Sequence, residues 1–330
     1  MGPLRMKGMV FDRGYVTLPV PGGQGPLPVM TRYGMSEDKE AILNPLSPTT
    51  AFSYRADTMT SSQQQPLLVF TDLDGSLLDH ATYDYTPAMD WLVRLKKRSV
   101  PLIINTSKTA AEVLVLHQTL GLVSPFITEN GASIHLPASW CLDETPDERG
   151  WADIVLGESY RRIRSVLEAV RATEGFTFRG FGDFSIEEVA EHTGLDARDA
   201  ELAHLREASE PLIWEDTDEA LEHFRLLLIG AGLTLTRGGR FYHVLGDNSG
   251  KGRAIAWLVD RYHLLKGQRP LTVGLGDGPN DVPMLESVDR AVLIRGEHDV
   301  PINIAETVPL YTTTQKGPAG WSEGLDHWLG

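Results

Sequence analysis

The sequence predicts an α/β protein, with a Rossmann-like parallel-sheet core and an α+β domain inserted into it. Three observations predict this. Short apolar runs alternate with helical stretches over about 67–137. Between about 140 and 245, helices mix with hairpin-like strands instead. The first pattern then resumes from 251. Alternating strands and helices return the chain to one sheet edge and so build a parallel sheet, whereas mixed runs build a separate layer. The expected division is an N-terminal extension at 1–64, a core at 65–140 and 246–330, and an insert at 141–245. The length of 330 residues agrees with about two domains.

Each element has its own reason. Residues 1–64 are rich in Pro, Gly, Ser, Thr and Gln and hold no sustained periodicity, so a flexible extension, or a start placed too far upstream, is expected. LLVFT (67–71) is a short apolar run before a DLDGS turn, as a buried parallel strand requires. Residues 87–98 carry Met89, Leu92, Val93 and Leu95 at helical spacing, with Pro87 near the start. VPLIINT (100–106) is a second buried strand, and 109–121 a helix that stops at Gly121. PFITENGASIHLP (125–137) reads as two strands around a Glu-Asn-Gly turn. Helices are expected at 157–173, 185–193, 196–208 and 217–230, and strands at 176–181, 211–216, 233–237 and 240–246. A helix at 251–263, an apolar strand at 270–277, a short helix at 282–289 and a strand at 290–296 complete the resumed pattern.

Composition narrows the function. Formal net charge is −15, from 45 acidic and 30 basic side chains. That field repels nucleic acid and anionic lipid, so neither is an expected partner. No run of about 18 apolar residues suggests a membrane span. The first fifteen residues lack the apolar stretch of a secretory signal. The single cysteine, Cys141, cannot form an intrachain disulfide, which fits a reducing cytoplasm. A monomer or homodimer is expected.

Four chemistry-bearing segments fall at the C-terminal ends of expected parallel strands or at a helix start facing them. Ligands of open α/β sheets bind at that edge. In DLDGS, Asp72 and Asp74 sit one residue apart after a strand. One can attack phosphorus and the other can protonate a leaving oxygen and then deprotonate water. An Asp-rich turn is the plainer alternative. In Thr106-Ser107-Lys108-Thr109, a hydroxyl and backbone N–H groups can hold phosphate oxygens; a helix N-cap explains the same residues. Lys251, in SGKGRA at a helix start, can neutralise both a phosphoryl group and Asp72, or lie in solvent. GDGPND (276–281) packs acidic and amide oxygens into one loop, which suits a hard cation such as Mg²⁺, or an Asx turn. Jointly, Asp72, Asp74, Asp277 and Asp281 would repel one another in one small volume; two unit charges about 4 Å apart cost roughly 4 kcal/mol at an effective dielectric of 20. A divalent ion and Lys251 turn that liability into a phosphate site.

DLDGS, NTSKT, Lys251 and GDGPND resemble the four motifs of the haloacid dehalogenase superfamily, and the insert resembles the α/β cap of its Cof-type (type IIB) subgroup. The resemblance implies a Mg²⁺-dependent phosphatase. It makes Asp72 the nucleophile and a metal ligand, and Asp74 the acid/base that also meets the metal through its carbonyl. Asp277 is a ligand, Asn280 and Asp281 support the metal, and Thr106, Ser107 and Lys251 hold the phosphoryl group. NTSKTAAEV, ENGASIHLP and RGGRFYHVLGDNSGKG are similar to mannosyl-3-phosphoglycerate phosphatases, which make the compatible solute mannosylglycerate. A substrate with a carboxylate implies cationic cap residues, for which Arg179, Arg237 and Arg240 are the candidates; His243 is expected to be structural. Other sugar phosphates (glucosyl-3-phosphoglycerate, sucrose phosphate), a phosphohexomutase, and a silent binding protein are the alternatives.

Overall fold

A computed structural model describes residues 65–296 and 302–330, together with a small antiparallel hairpin of β1 (Val10–Asp12) and β2 (Tyr15–Thr17). The flexible character expected of 1–64 otherwise falls outside the described residues. The chain divides into two compact units, Met1–Gln64 and Gln65–Gly330.

In the second unit, β3 (Leu67–Thr71) leads through α1 (Met89–Lys97), β4 (Leu102–Ile104) and α2 (Ala110–Leu120) to β5 (Phe126–Thr128), β6 (Ser133–Pro137) and β7 (Trp151–Val155). Then follow α3 (Tyr160–Glu174), β8 (Phe178–Gly180), α4 (Ile186–Thr193), α5 (Ala197–His204), β9 (Ser209–Trp214), α6 (Asp218–Gly230), β10 (Leu233–Gly238) and β11 (Phe241–Gly246). The chain closes with α7 (Lys251–Lys266), β12 (Leu271–Gly276), α8 (Val282–Leu285), β13 (Arg290–Arg295), β14 (Leu310–Lys316) and α9 (Gly317–Leu329).

The core sheet is wholly parallel, in the order β14-β13-β12-β3-β4. Apart from the edge strand β14, its strands are apolar on both faces because helices cover both. On β3, Leu68 and Phe70 join α7 and α8, while the intervening Val69 joins α1 and α9. Helix ends follow their sequence signals. Thr109 caps α2 in a reciprocal box with Glu112, and Gly121 ends it in the left-handed region at φ 59°.

The insert is a four-stranded antiparallel sheet, β10-β11-β9-β8. Its Leu212, Leu235 and Val244 pack with Ile163 of α3 and Phe224 of α6. We place its limits at 157 and 246, later at its start than the 141 expected, because β7 pairs with β6 and Ala152 packs into the core. The two connections cross side by side: a Cβ on Gly246 would lie 2.5 Å from the Glu158 nitrogen. Strands β7 and β14 and helix α9 had no counterpart in the sequence reading.

Candidate active site

Parallel pairing of β3 with β12 decides the site. The strands run in register from Leu67 opposite Leu271 to Thr71 opposite Leu275, so the residues just beyond them emerge side by side. Asp72 follows β3, and its N–H donates to the Leu275 carbonyl at 2.9 Å. Asp277 follows β12. The chain then needs glycines. Gly75 has φ 79°, and a Cβ there would lie 2.4 Å from Asp277 Oδ2; a Cβ on Gly276 would lie 2.6 Å from Asp281. Ser76 Oγ donates to Asp277 Oδ1 at 3.3 Å.

Lys251 begins α7 and is buried. Its ammonium donates to Asp72 Oδ1 at 2.7 Å and to Asp281 Oδ1 at 2.6 Å. The backbone that delivers it is held from two sides. Asn105 Nδ2 donates to the Lys251 carbonyl at 3.2 Å, and a Cβ on Gly131 would collide with Gly250 at 2.2 Å. The second oxygen of Asp281 accepts from the N–H groups of Asp277 and Gly278, each at 3.0 Å. Asp281 thus ties the loop to Lys251 with both oxygens.

One lysine serves three acids here. Burial, then the neighbouring Asp281, push the Asp72 carboxyl well above its usual range against the pull of Lys251. The same two causes push Asp277 up to about 7. Carboxylate oxygens of Asp72, Asp277 and Asp281 lie within 4.8 Å of one another. An all-oxygen donor set with excess negative charge fits a hard divalent cation, and Asp72 and Asp277 have oxygens to give it.

Asp74 faces another way. Its Oδ2 pairs with Lys108 Nζ at 3.2 Å, and its buried Oδ1 has no hydrogen-bond partner among the described residues. Burial disfavours the Lys108 charge, but Asp74 and Glu112 outweigh it and hold the ammonium above its ordinary range. Thr106 is buried and its Oγ1 accepts from the Lys108 N–H at 3.3 Å, so the loop fastens itself.

Asp72, Asp74, Ser107, Asp277 and Asn280 line one cleft of about 870 Å³ between core and insert. Arg237 and Arg240 line it from the insert. Arg240 Nη2 donates to the Thr193 carbonyl at 2.5 Å, and Arg237 lies over the Tyr242 ring. Arg179 is not among the lining residues. It pairs with Glu188 at 2.6 Å and covers Phe184, which corrects its expected place in the cleft. Lys108 and Arg206, given no role from the sequence, and His243, expected to be structural, also line the cleft. Arg206 Nη1 donates to the Ser107 carbonyl at 2.9 Å, bridging insert and core. Its neighbours EAS gave no motif; only the strand and turn around it bring it to the cleft.

Two family profiles match the chain. One describes a haloacid dehalogenase-like hydrolase and covers 69–148; the other describes Sucrose-6F-phosphate phosphohydrolase and covers 221–329. The chain belongs to the haloacid dehalogenase superfamily. The two matches enclose every core site residue of the superfamily pattern, Asp72 to Lys108 in the first and Lys251 to Asp281 in the second. Solved structures, among them haloacid dehalogenase superfamily phosphatases, show the same fold. A Thermoplasma acidophilum protein is 17% identical at a TM-score of 0.58, covering 80% of this chain and 98% of its own. A superfamily phosphatase of Bacteroides thetaiotaomicron is 18% identical at 0.55, covering 82% and 98%. The sucrose-phosphatase of Synechocystis, solved with sucrose and phosphate, is 16% identical at 0.53, covering 80% and 98%.

Proposed function

We propose that the chain is a divalent-cation-dependent phosphomonoester hydrolase acting through an aspartyl phosphate on Asp72. The observation that carries this is the placement of Asp72 and Asp277 at the ends of two adjacent parallel strands, with Lys251 at the start of α7 bonded to Asp72, beside a cleft that Asp74 also lines. Lys251 occupies Asp72 Oδ1 and leaves Oδ2 to attack phosphorus. The bond from phosphorus to the leaving oxygen breaks as Asp74 supplies that oxygen with a proton. Water then gives a proton back to Asp74 and attacks the aspartyl phosphate. The bond to Asp72 breaks, and phosphate and free Asp72 result. Asp72, Asp277 and the Asp74 carbonyl would hold Mg²⁺, with Asp281 and Asn280 behind them. When bound, the ion supplies charge stabilisation of the phosphoryl oxygens. Ser107, with the backbone of the loop that begins at Thr106, would hold the other oxygens.

The substrate reading is mannosyl-3-phosphoglycerate, converted to mannosylglycerate and phosphate. Arg237 and Arg240 at the cleft support a leaving group that carries a carboxylate. A second reading, sucrose phosphate, is favoured by the sucrose-phosphate phosphohydrolase match over 221–329. Phosphate release should be measured with mannosyl- and glucosyl-3-phosphoglycerate and sucrose 6-phosphate, each with and without EDTA. EDTA is expected to abolish release. Asp72→Asn should lose at least about 10³-fold in kcat with the fold intact, since it removes the nucleophile itself. A variant that keeps most of its turnover rules out attack by Asp72.

A further inference from the structure

We propose that the inserted sheet carries a hydroxyl-binding subsite, built by His243, Arg206 and Thr236, for the alcohol half of the phosphate ester. The proposal rests on the phosphatase reading above and deepens it. Its starting point is a row of residues on one face of the insert. Thr236 pairs with His243 across β10 and β11, and His243 pairs with Pro211 across β11 and β9. Directly paired residues share a sheet face. The adjacent pair, Leu235 with Val244, points the other way into the core of the insert. His243, Pro211 and Phe181 line the same cleft as Asp72.

Three polar groups there are left over. His243 is 5% exposed, and its Nδ1 has no hydrogen-bond partner among the described residues. Nε2 is the ring nitrogen turned toward Gly238 and Nδ1 is the one without a partner, so we assign the ring proton to Nε2, which leaves Nδ1 offering a lone pair. Burial, then the charges of Arg206 and Lys251, push the imidazole down to about 3, so it is neutral near pH 7. Arg206 Nη1 is engaged by Ser107, and its guanidinium lies 5.5 Å over the Phe181 ring. Its buried Nε has no partner among the described residues and is a spare donor. Thr236 Oγ1 is likewise buried without a partner among them.

An acceptor and a donor on the cleft wall, with the Thr236 hydroxyl beside His243 on the same sheet face, select the ligand's chemistry. An alcohol oxygen can accept from Arg206 and donate to His243 at the same time. A carboxylate or phosphate oxygen would instead set its lone pairs against that of Nδ1. Arg237 and Arg240 offer only N–H donors and suit the anionic portion of a leaving group; the His243 row suits its hydroxyls. The ligand class is therefore a polyol or sugar, held against Pro211 and Phe181.

The test compares two probes. kcat/KM is measured for mannosyl-3-phosphoglycerate or sucrose 6-phosphate, whichever is faster, and for 4-nitrophenyl phosphate, which has no alcohol hydroxyl in its leaving group. The wild type is expected to prefer the sugar ester. In His243→Ala the ratio of the two should fall about 10- to 100-fold, the range for losing one buried substrate hydrogen bond. The isosteric Thr236→Val should lower it about 3- to 10-fold on the same grounds. His243→Asn, which keeps an acceptor near Nδ1, should restore most of the ratio. An unchanged ratio in both His243→Ala and Thr236→Val, or a wild type that prefers 4-nitrophenyl phosphate, overturns the subsite and leaves the phosphatase reading standing. Absence of phosphate release from every ester overturns that reading, and the subsite with it.

Discussion

Lys251 shows what single residues contribute here. An ammonium without solvent is costly unless each proton has a partner, and Lys251 meets Asp72 and Asp281 at 2.7 and 2.6 Å. Those bonds hold the proposed nucleophile in one orientation. His243 is the opposite case, a titratable group kept neutral. Its folded pKa lies near 3, whereas an unfolded imidazole titrates near about 6.5. Above about pH 6.5 neither state is protonated there and the group adds nothing further with pH. As pH falls from that value toward 3, the unfolded chain takes a proton that the folded one refuses, so stability is lost. Thermal unfolding at pH 7 and pH 4.5 should show a smaller acid loss for His243→Asn than for the wild type. Asp183 contributes acid lability to both proteins alike, because Arg171 and Arg164 hold it below its ordinary range despite burial. Equal losses in the two proteins would mean that His243 is protonated in the folded state.

At the scale of elements, the turn between β5 and β6 stands out. Glu129 and Asn130 have φ of 52° and 58°, a left-handed conformation that costs non-glycine residues about 1–3 kcal/mol each. The turn is held because Glu129 is fully engaged. Its Oε1 accepts from the Glu207 N–H at 2.7 Å, and its Oε2 accepts from the Ala208 N–H at 3.2 Å and from Ser209 Oγ at 2.6 Å. A core turn thereby grips the insert where β9 begins. Beside it, Thr109 Oγ1 donates to the Leu202 carbonyl, and Arg206 reaches Ser107. The segment around 202–209 is thus fastened to the same loop that would hold the phosphoryl group. Glu129→Gln keeps the shape but places an amide N–H₂ against donors. It should lower unfolding stability by about 2–3 kcal/mol, read from the urea midpoint. A loss within about 0.5 kcal/mol would show that the clamp carries no energy.

For the whole molecule, the central fact is charge. The chain carries a net −15 and concentrates three carboxylates beside one lysine. A ligand that binds only the folded state stabilises it by mass action. Mg²⁺ at about 100 times its dissociation constant should add about 2.7 kcal/mol, which for a unit of this size raises Tm by roughly 5–10 °C. EDTA should reverse the gain, and Asp277→Asn should remove most of it. A Tm that ignores Mg²⁺ would count against a cation among these residues. No helix among the described residues is long and apolar enough to cross a membrane.

The placement of the candidate core residues was legible in the sequence because its logic is local. An apolar run followed by DLDGS, and another followed by GDGPND, place carboxylates at strand ends, and parallel pairing of buried strands then brings those ends together. Elements whose pattern is not apolar were illegible. β14, LYTTTQK, is an edge strand with polar faces. α9, GPAGWSEGLDHWL, has weak helix formers and is held by packing: Trp321 and Leu325 are buried, and a Cβ on Gly324 would lie 2.3 Å from Val292. Partners across the fold were equally unreadable. That Asp74 faces Lys108, that Arg206 reaches Ser107, and that Arg179 turns away to Glu188 depends on how the insert lies on the core. Sequence by itself determined which carboxylates stand at the strand ends, because strand period and turn residues act over a few positions. Tertiary structure alone decided which insert side chains face the cleft, because that orientation is set by contacts between residues tens of positions apart.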